Sequence, residues 1–257
     1  MGILDGKKGL ILGIANDRSI AAGIARACNA QGAKMAFSHL PGEKNARRVN
    51  QAVGDFDPIF LAPCDVQDET QITALLKQAK EEMGHIDFVV HSLAFANKDD
   101  LTHQYHMTSK EGFSMALEIS AYSLSAVTRE LMAVQPEGNC NIVTMSYLGA
   151  VMAVQNYNIM GVAKAALECA VRYLAIDLGP QKVRVNTISA GAIRTLASMG
   201  ISDFPKMLDI SEKRSCLKRN VTQDEVGTCA AFLVSDMASG ITAQTIYVDG
   251  GYNVAGL

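Results

Sequence analysis

Along the chain, short apolar runs alternate with longer amphipathic stretches. "KGLILGI" (Lys8–Ile14) reads as a buried strand, and "SIAAGIARACNAQG" (Ser19–Gly32) as a helix closed by glycine. "KMAFS" (Lys34–Ser38) and "PIFLAPCD" (Pro58–Asp65) are the second and third strands. A helix follows through "DETQITALLKQAKEEMG" (Asp68–Gly84), with Asp68 suited to its N-cap. "IDFVVHSLA" (Ile86–Ala94) is the fourth strand; a long helix then ends before Pro136. "CNIVTMS" (Cys140–Ser146) is the fifth strand. Another long helix runs from about Tyr157 to Leu178 and stops at Gly179–Pro180. "VRVNTISA" (Val183–Ala190) and "QTIYVDGG" (Gln244–Gly251) supply the last two strands.

The strands are apolar on both faces, and most crossovers are long enough to hold a helix. That pattern predicts a mainly parallel seven-stranded sheet covered by helices on both faces, a Rossmann-like doubly wound α/β fold. No internal repeat, low-complexity tract or linker divides the chain, so a single domain over residues 1–257 is expected.

Composition narrows the function classes. The chain is 49% hydrophobic and 19% charged, which suits a filled core rather than disorder. A formal charge of −3 argues against a nucleic-acid surface. The basic cluster "EKNARR" (Glu43–Arg48) fits a solvated helix face, with a phosphate contact as the other reading. Six scattered cysteines form no C-x-x-C pair, the pattern of free thiols in a reducing compartment. No apolar run reaches membrane-spanning length, and no secretory signal is read at the start; a soluble, cytoplasmic protein is expected.

Candidate chemistry gathers at the carboxyl ends of the strands, where ligands bind in open α/β sheets. The first strand empties into "GIANDRSIAAG" (Gly13–Gly23), a turn that exposes backbone N–H groups at a helix start, where a pyrophosphate can sit. Ala15 stands where the G-x-G-x-x-G pattern has its second glycine, so the turn alone fits an ordinary strand-to-helix connection equally well. "CDV" (Cys64–Val66) ends the third strand with an acid able to accept an adenine amino group. "HSLAFA" (His91–Ala96) ends the fourth with small residues.

In "SYLGAVMAVQNYNIMGVAK" (Ser146–Lys164), Tyr147 and Tyr157 lie ten apart, and Lys164 follows seven later. Tyrosine and lysine titrate at about 10, too high for neutral-pH proton chemistry without help from their surroundings. Seven helical residues make about two turns, placing Tyr157 and Lys164 on one face roughly 10 Å apart along the axis. Either residue alone would more commonly be core packing or a solvated surface group. "HQYH" (His103–His106) offers two histidines without a completing ligand and reads as a surface loop, so no metal is expected. Most of the twelve methionines read as core filler, with an adaptable acyl pocket as the sharper reading.

Together, "GIANDRSIAAGIA", "CDV", "HSLAFA", "SYLG…YNIMGVAK", "RVNTISAGAIRTLAS" and "VDGG" resemble the NADH-dependent enoyl-(acyl-carrier-protein) reductases, a divergent branch of the short-chain dehydrogenase/reductases. The likeness covers essentially the whole chain and rests most on Tyr-x6-Lys, where the wider family carries Tyr-x3-Lys. It implies hydride delivery from NADH to a trans-2-enoyl thioester on acyl carrier protein, in a homotetramer. Tyr157 would donate to the enolate oxygen, Tyr147 would line the acyl pocket, and Lys164 would hold the nicotinamide ribose.

By the same resemblance, Gly13, Ser19 and Ile20 serve the pyrophosphate, and Asp65 and Val66 the adenine. Leu93 and Ala94 flank the ribose, and Ala96 contacts substrate. "AGAIRTLA" (Ala190–Ala197) grips the nicotinamide amide and pyrophosphate through Ile193, Thr195 and Ala197. A mobile substrate loop is expected over about 195–210. Leu40 departs from the pattern, standing where some members carry a polar residue toward the adenosine ribose. Asp17, an acid near phosphate, is expected to face solvent or pair with Arg18. Two alternatives stand beside this reading: a carbonyl or hydroxyl dehydrogenase, disfavoured by the Tyr-x6-Lys spacing, and a non-catalytic nucleotide sensor, expected to lose Tyr157 or Lys164.

Overall fold

The computed structural model describes residues 2–196, 198–200 and 203–255. Its strands are β1 (Lys8–Leu12), β2 (Lys34–His39), β3 (Leu61–Pro63), β4 (Phe88–His91), β5 (Asn141–Tyr147), β6 (Arg184–Ala190) and β7 (Thr245–Val248). They form one seven-stranded sheet in the order β3-β2-β1-β4-β5-β6-β7, and every neighbouring pair is parallel. The order reverses between β1 and β4, which opens a crevice above their carboxyl ends.

The helices are α1 (Ile20–Ala30), α2 (Glu43–Val53), α3 (Glu69–Met83), α4 (Lys98–Thr102), α5 (Lys110–Leu117), α6 (Ser123–Val134), α7 (Asn158–Leu178), α8 (Phe204–Arg214) and α9 (Gln223–Val234). One face of the sheet is covered through Leu76 of α3, Leu124 of α6 and Leu167 of α7. The other is covered through Ile24 of α1, Val49 of α2 and Val226 of α9. Both faces are therefore covered, which is why β1 and β4 are largely apolar, while β5 and β6 also bury Thr144, Ser146, Asn186, Thr187 and Ser189. Asp68 caps α3, its carboxylate accepting the Thr70 N–H at 2.9 Å.

The register aligns the site. Leu12 pairs with His91, His91 with Thr144, and Thr144 with Thr187, so β1 and β4 end on the row from which β5 and β6 run three residues further, to Tyr147 and Ala190. The chain segments beyond these rows carry the candidate chemistry.

Several boundaries differ from the sequence reading. β1 stops at Leu12 because Gly13 takes φ +101, outside strand geometry. β3 is only three residues long, flanked by Pro58 and closed by Pro63, which have no N–H for the ladder. The long helix before Pro136 is two helices joined by a π-helical segment, Glu118–Tyr122. Helix α9 was not anticipated, although Thr222 and Glu225 form a capping box at its start. It packs along α1 and buries Val226, Ala230, Leu233 and Val234, so its sequence shows little polar face. The stretch read as a loop over about 195–210 contains a 3-10 turn at Ser198–Gly200 and the start of α8, where Phe204 is buried.

Candidate active site

Tyr147 is the last residue of β5, and the chain then turns through Leu148–Ala150. Tyr157 stands immediately before α7 rather than within it. Asn158, at φ 38, starts the helix, and its amide donates to the His103 carbonyl at 2.6 Å, tying the helix start to the end of α4. The two tyrosine rings meet edge to face, with centroids 4.9 Å apart and planes at 64°. Gly149 makes this possible: a methyl group there would overlap the Tyr157 ring.

Burial controls the protonation of both phenols. Tyr157 is 8% exposed, and loss of hydration holds its phenol well above the ordinary value. Tyr147 is pushed up to about 12 by the same cause, and its hydroxyl donates to Sδ of Met207 in α8 at 3.4 Å. Both are neutral O–H donors at physiological pH. Among the described residues the Tyr157 hydroxyl has no hydrogen-bond partner, so it is available to a substrate oxygen.

Lys164 lies two turns along α7 and is 4% exposed. Its Nζ donates to the Met145 carbonyl at 2.7 Å. Burial lowers its pKa to about 8, while the Glu168 carboxylate works against that fall. An ammonium carries three donors, and Met145 takes one. His91, fully buried, is held by Thr144 Oγ1 at 2.9 Å and Ser123 Oγ at 2.8 Å. Burial, then the charge on Lys164, pulls His91 down to about 3, so its ring is neutral. These contacts fix the end of β4, from which Leu93 and the exposed Ala94 continue. Ala96 packs in a small cluster with Tyr147, Tyr157 and Met160.

The glycine turn lies beside this group. A methyl on Gly13 would overlap the Ser92 carbonyl, so only glycine lets β1 end flush against β4. Ser19 caps α1: its hydroxyl donates to the Asn16 carbonyl at 2.7 Å and accepts the Ala22 N–H at 3.3 Å. Among the described residues, the N–H groups of Ile20 and Ala21, in the first helical turn, have no acceptor. A groove of about 290 Å³ opens here, lined by Asn16, Asp17, Arg18, Arg194, Thr195, Leu196 and Met199. Thr195 is fixed by Ser198, whose hydroxyl accepts its N–H at 2.8 Å. Ile193 packs on the adjoining core. Ala197 lies outside the described residues. The Asp17 side chain is exposed, and its carbonyl accepts from Arg26 and Gln223.

Further along the strand ends, Asp65 accepts the Gln67 N–H at 3.0 Å, and Val66 is 8% exposed. At the end of β2, Leu40 is 59% exposed and the His39 ring bonds the Leu40 carbonyl at 2.9 Å. Pro41 and Gly42 precede α2, on which Lys44 and Arg47 flank a separate surface groove with Glu43. His103 and His106 are both exposed.

The sequence reading missed Arg18 and Arg194, the cations of the groove, because isolated arginines carry no motif. It also missed Asn158, for which an asparagine directly after the candidate tyrosine is a usable signal, since asparagine tolerates positive φ.

A doubly wound parallel sheet with a glycine turn, an open helix start and a buried Tyr–Lys pair defines a short-chain-dehydrogenase-type oxidoreductase. The profile of the family described as Enoyl-(Acyl carrier protein) reductase matches residues 13–253. Over 99% of both chains, the protein is 48% identical to an enoyl-(acyl-carrier-protein) reductase (NADH) FabI from Nostoc sp.. A solved reductase from Anaplasma phagocytophilum in complex with NAD superposes with a TM-score of 0.95 at 45% identity, covering 100% of this chain and 97% of the other. A Bacillus cereus reductase with NADP+ and an indole naphthyridinone superposes at 0.96 with 47% identity, each chain fully covered. The chain belongs to the enoyl-(acyl-carrier-protein) reductase family.

Proposed function

We propose that the chain reduces the 2,3 double bond of a trans-2-enoyl thioester carried on acyl carrier protein, using NADH, as the last step of each fatty-acid elongation cycle. One observation carries the assignment of roles: Tyr157, packed on Tyr147, and Lys164, bonded to the Met145 carbonyl, are both buried at the end of β5.

The residues present fit a nicotinamide dinucleotide. The open N–H groups of Ile20 and Ala21, with Ser19 and the flush Gly13 turn, suit a pyrophosphate. The donors that Lys164 keeps beyond Met145 suit ribose hydroxyls. Asp65 and Val66 bound the adenine position, Leu93 and Ala94 flank the ribose, and Ile193 and Thr195 face the pyrophosphate and nicotinamide amide. Ala197 belongs to the same segment by sequence.

When bound, NADH supplies a hydride to C3 of the enoyl thioester. The electron pair of the double bond moves onto the thioester oxygen, and Tyr157 donates its neutral hydroxyl to that oxygen. Such a donor acts by stabilising charge as it develops. A proton taken up at C2 then completes the saturated thioester. Lys164 orients the ribose and adds positive charge nearby, and Tyr147 and Ala96 bound the acyl chain. The chain works as a single domain with its substrate loop over about 195–210, in a cytoplasmic homotetramer. Neither Tyr157 nor Lys164 is lost, as a nucleotide sensor would permit.

Absorbance loss of NADH with crotonyl and longer enoyl thioesters tests the reading. Stoichiometric NADH oxidation with double-bond saturation is expected. Turnover of a 3-oxoacyl thioester, with none of the enoyl compound, would replace it with the dehydrogenase alternative.

A further inference from the structure

Helix α7 grips the end of β5 at two consecutive residues. Lys164 Nζ donates to the Met145 carbonyl at 2.7 Å; one turn further, the Glu168 carboxylate accepts the Ser146 hydroxyl at 2.6 Å. Lys164 is 4% exposed and Glu168 8%. The next strand residue is Tyr147, whose ring packs on Tyr157. Whatever fixes Met145 and Ser146 therefore fixes where Tyr147 leaves the sheet.

Hydride transfer needs no carboxylate at this position, and a buried carboxylate is costly unless compensated. Among the described residues, the side-chain donor to Glu168 is a neutral serine. Lys164, one turn away on the same helix, feels this carboxylate, and Arg172 stands one turn further on.

We propose that Glu168, held by Ser146, is a positioning residue that keeps Lys164 in its ammonium form and the end of β5 in place for the tyrosine pair. The proposal rests on Lys164 as the ribose-holding residue. Burial drags Lys164 down and Glu168 pushes it back up, which leaves it at about 8. His91 faces Lys164 from β4 as a neutral ring, and Tyr157 precedes the helix as a neutral phenol. Tyr247 of β7 feels the Glu168 carboxylate and that of Asp249, and Arg172 of α7 donates to the Glu168 carbonyl at 3.1 Å. Of the charged groups on other elements packed against α7, Lys98, Asp99, Lys110 and Glu111 are exposed, and others are engaged elsewhere: Asp100 with Ser109, Glu118 with Gln67, Glu130 with Arg129, and Arg184 with the Leu233 and Ser235 carbonyls.

The test reads Lys164 directly, in the ligand-free protein, by NMR titration of lysines labelled with carbon-13 at Cε; Lys164→Arg assigns the signal. A midpoint near 8 is expected in the parent. Glu168→Gln should move it down by about one pH unit, as removal of a nearby opposite charge implies. NADH affinity should then weaken about fivefold at pH 8 and hold its parent value at pH 6, following the fraction of ammonium. Should that variant fail to fold, Ser146→Ala with Glu168→Met removes both partners and carries the same expectation. An unchanged midpoint overturns the proposal, including when affinity falls equally at both pH values, which is the mark of a merely structural residue. Lys164→Met binding NADH as tightly as the parent would break the ribose reading instead, and leaves the midpoint test intact.

Discussion

At the reacting end of the cleft, Tyr157, Lys164 and His91 are buried, and each is held by neighbours, through a ring contact, the Met145 carbonyl, or Thr144 and Ser123. At the end assigned above to adenosine, Leu40 is 59% exposed, the His39 ring bonds the adjoining carbonyl, and Lys44 and Arg47 sit in solvent on α2. The contrast follows from what each end must do. In the proposed reaction charge develops at the first, where a low dielectric strengthens every electrostatic interaction and misplacement is expensive. The second only recognises, and there water weakens each contact. Substitutions should therefore act steeply at one end and shallowly at the other.

The steepest effect is expected from Gly149→Ala. The added methyl overlaps the Tyr157 ring, so the ring must leave its place against Tyr147. Losing an aligned oxyanion donor costs about 10²-fold or more in kcat, and overpacking costs about 1–3 kcal/mol of stability. Turnover assays and thermal melts check both. A folded variant with parent activity would show that the reacting end is less constrained than its packing implies.

Next comes Lys164→Met, which should weaken NADH binding by about 2 kcal/mol, the loss of a charge-assisted hydrogen-bond pair. Calorimetry measures it. The same change should make the ligand-free protein less stable at pH 7, because it leaves the Met145 carbonyl without its side-chain donor and the buried Glu168 carboxylate without the nearby ammonium. The pH dependence has a definite sign. Lys164 titrates near 8 in the folded chain against 10.5 as its ordinary value, so the unfolded chain binds more protons between them. Its contribution to stability therefore rises as pH climbs through that window. The methionine variant should lack this rise in urea melts at pH 7 and pH 9.5. Above about 10 the raised phenols of Tyr147 and Tyr157 act the other way, because the unfolded tyrosines lose their protons first.

The adenosine end should give the smallest effects. With no fixed cation beside Leu40, a ribose phosphate would lose hydration without a partner, and NADH should be preferred about tenfold, or 1.4 kcal/mol, in kcat/KM. Lys44→Ala and Arg47→Ala should leave NADH kinetics near those of the parent. Competing cofactor titrations would expose a contrary case, in which α2 cations reach the ribose.

What the sequence revealed divides along the same physical lines. Strands buried on both faces are legible where apolar residues run together, as at Phe88, Val89 and Val90. Helix α9 was hidden for the opposite reason: packed along α1, it shows little polar periodicity, and only its capping box marks it. The π-helical segment at Glu118–Tyr122 leaves no trace in apolar spacing, yet it places Ser120 against the Phe95 N–H and Ser123 against His91. Tyr147, Tyr157 and Lys164 were legible because their spacing is distinctive. Glu168 and Ser146 were not, since a serine and a glutamate 22 residues apart have no pattern until the fold joins them.

The account turns on Tyr157 as a neutral donor to the enolate oxygen. Its most direct test is Tyr157→Phe, assayed for enoyl reduction and, on the same preparation, for NADH binding. A fall in kcat of about 10²-fold or more, with NADH affinity close to the parent's, is predicted. Parent-like turnover in a folded, NADH-binding variant would contradict it.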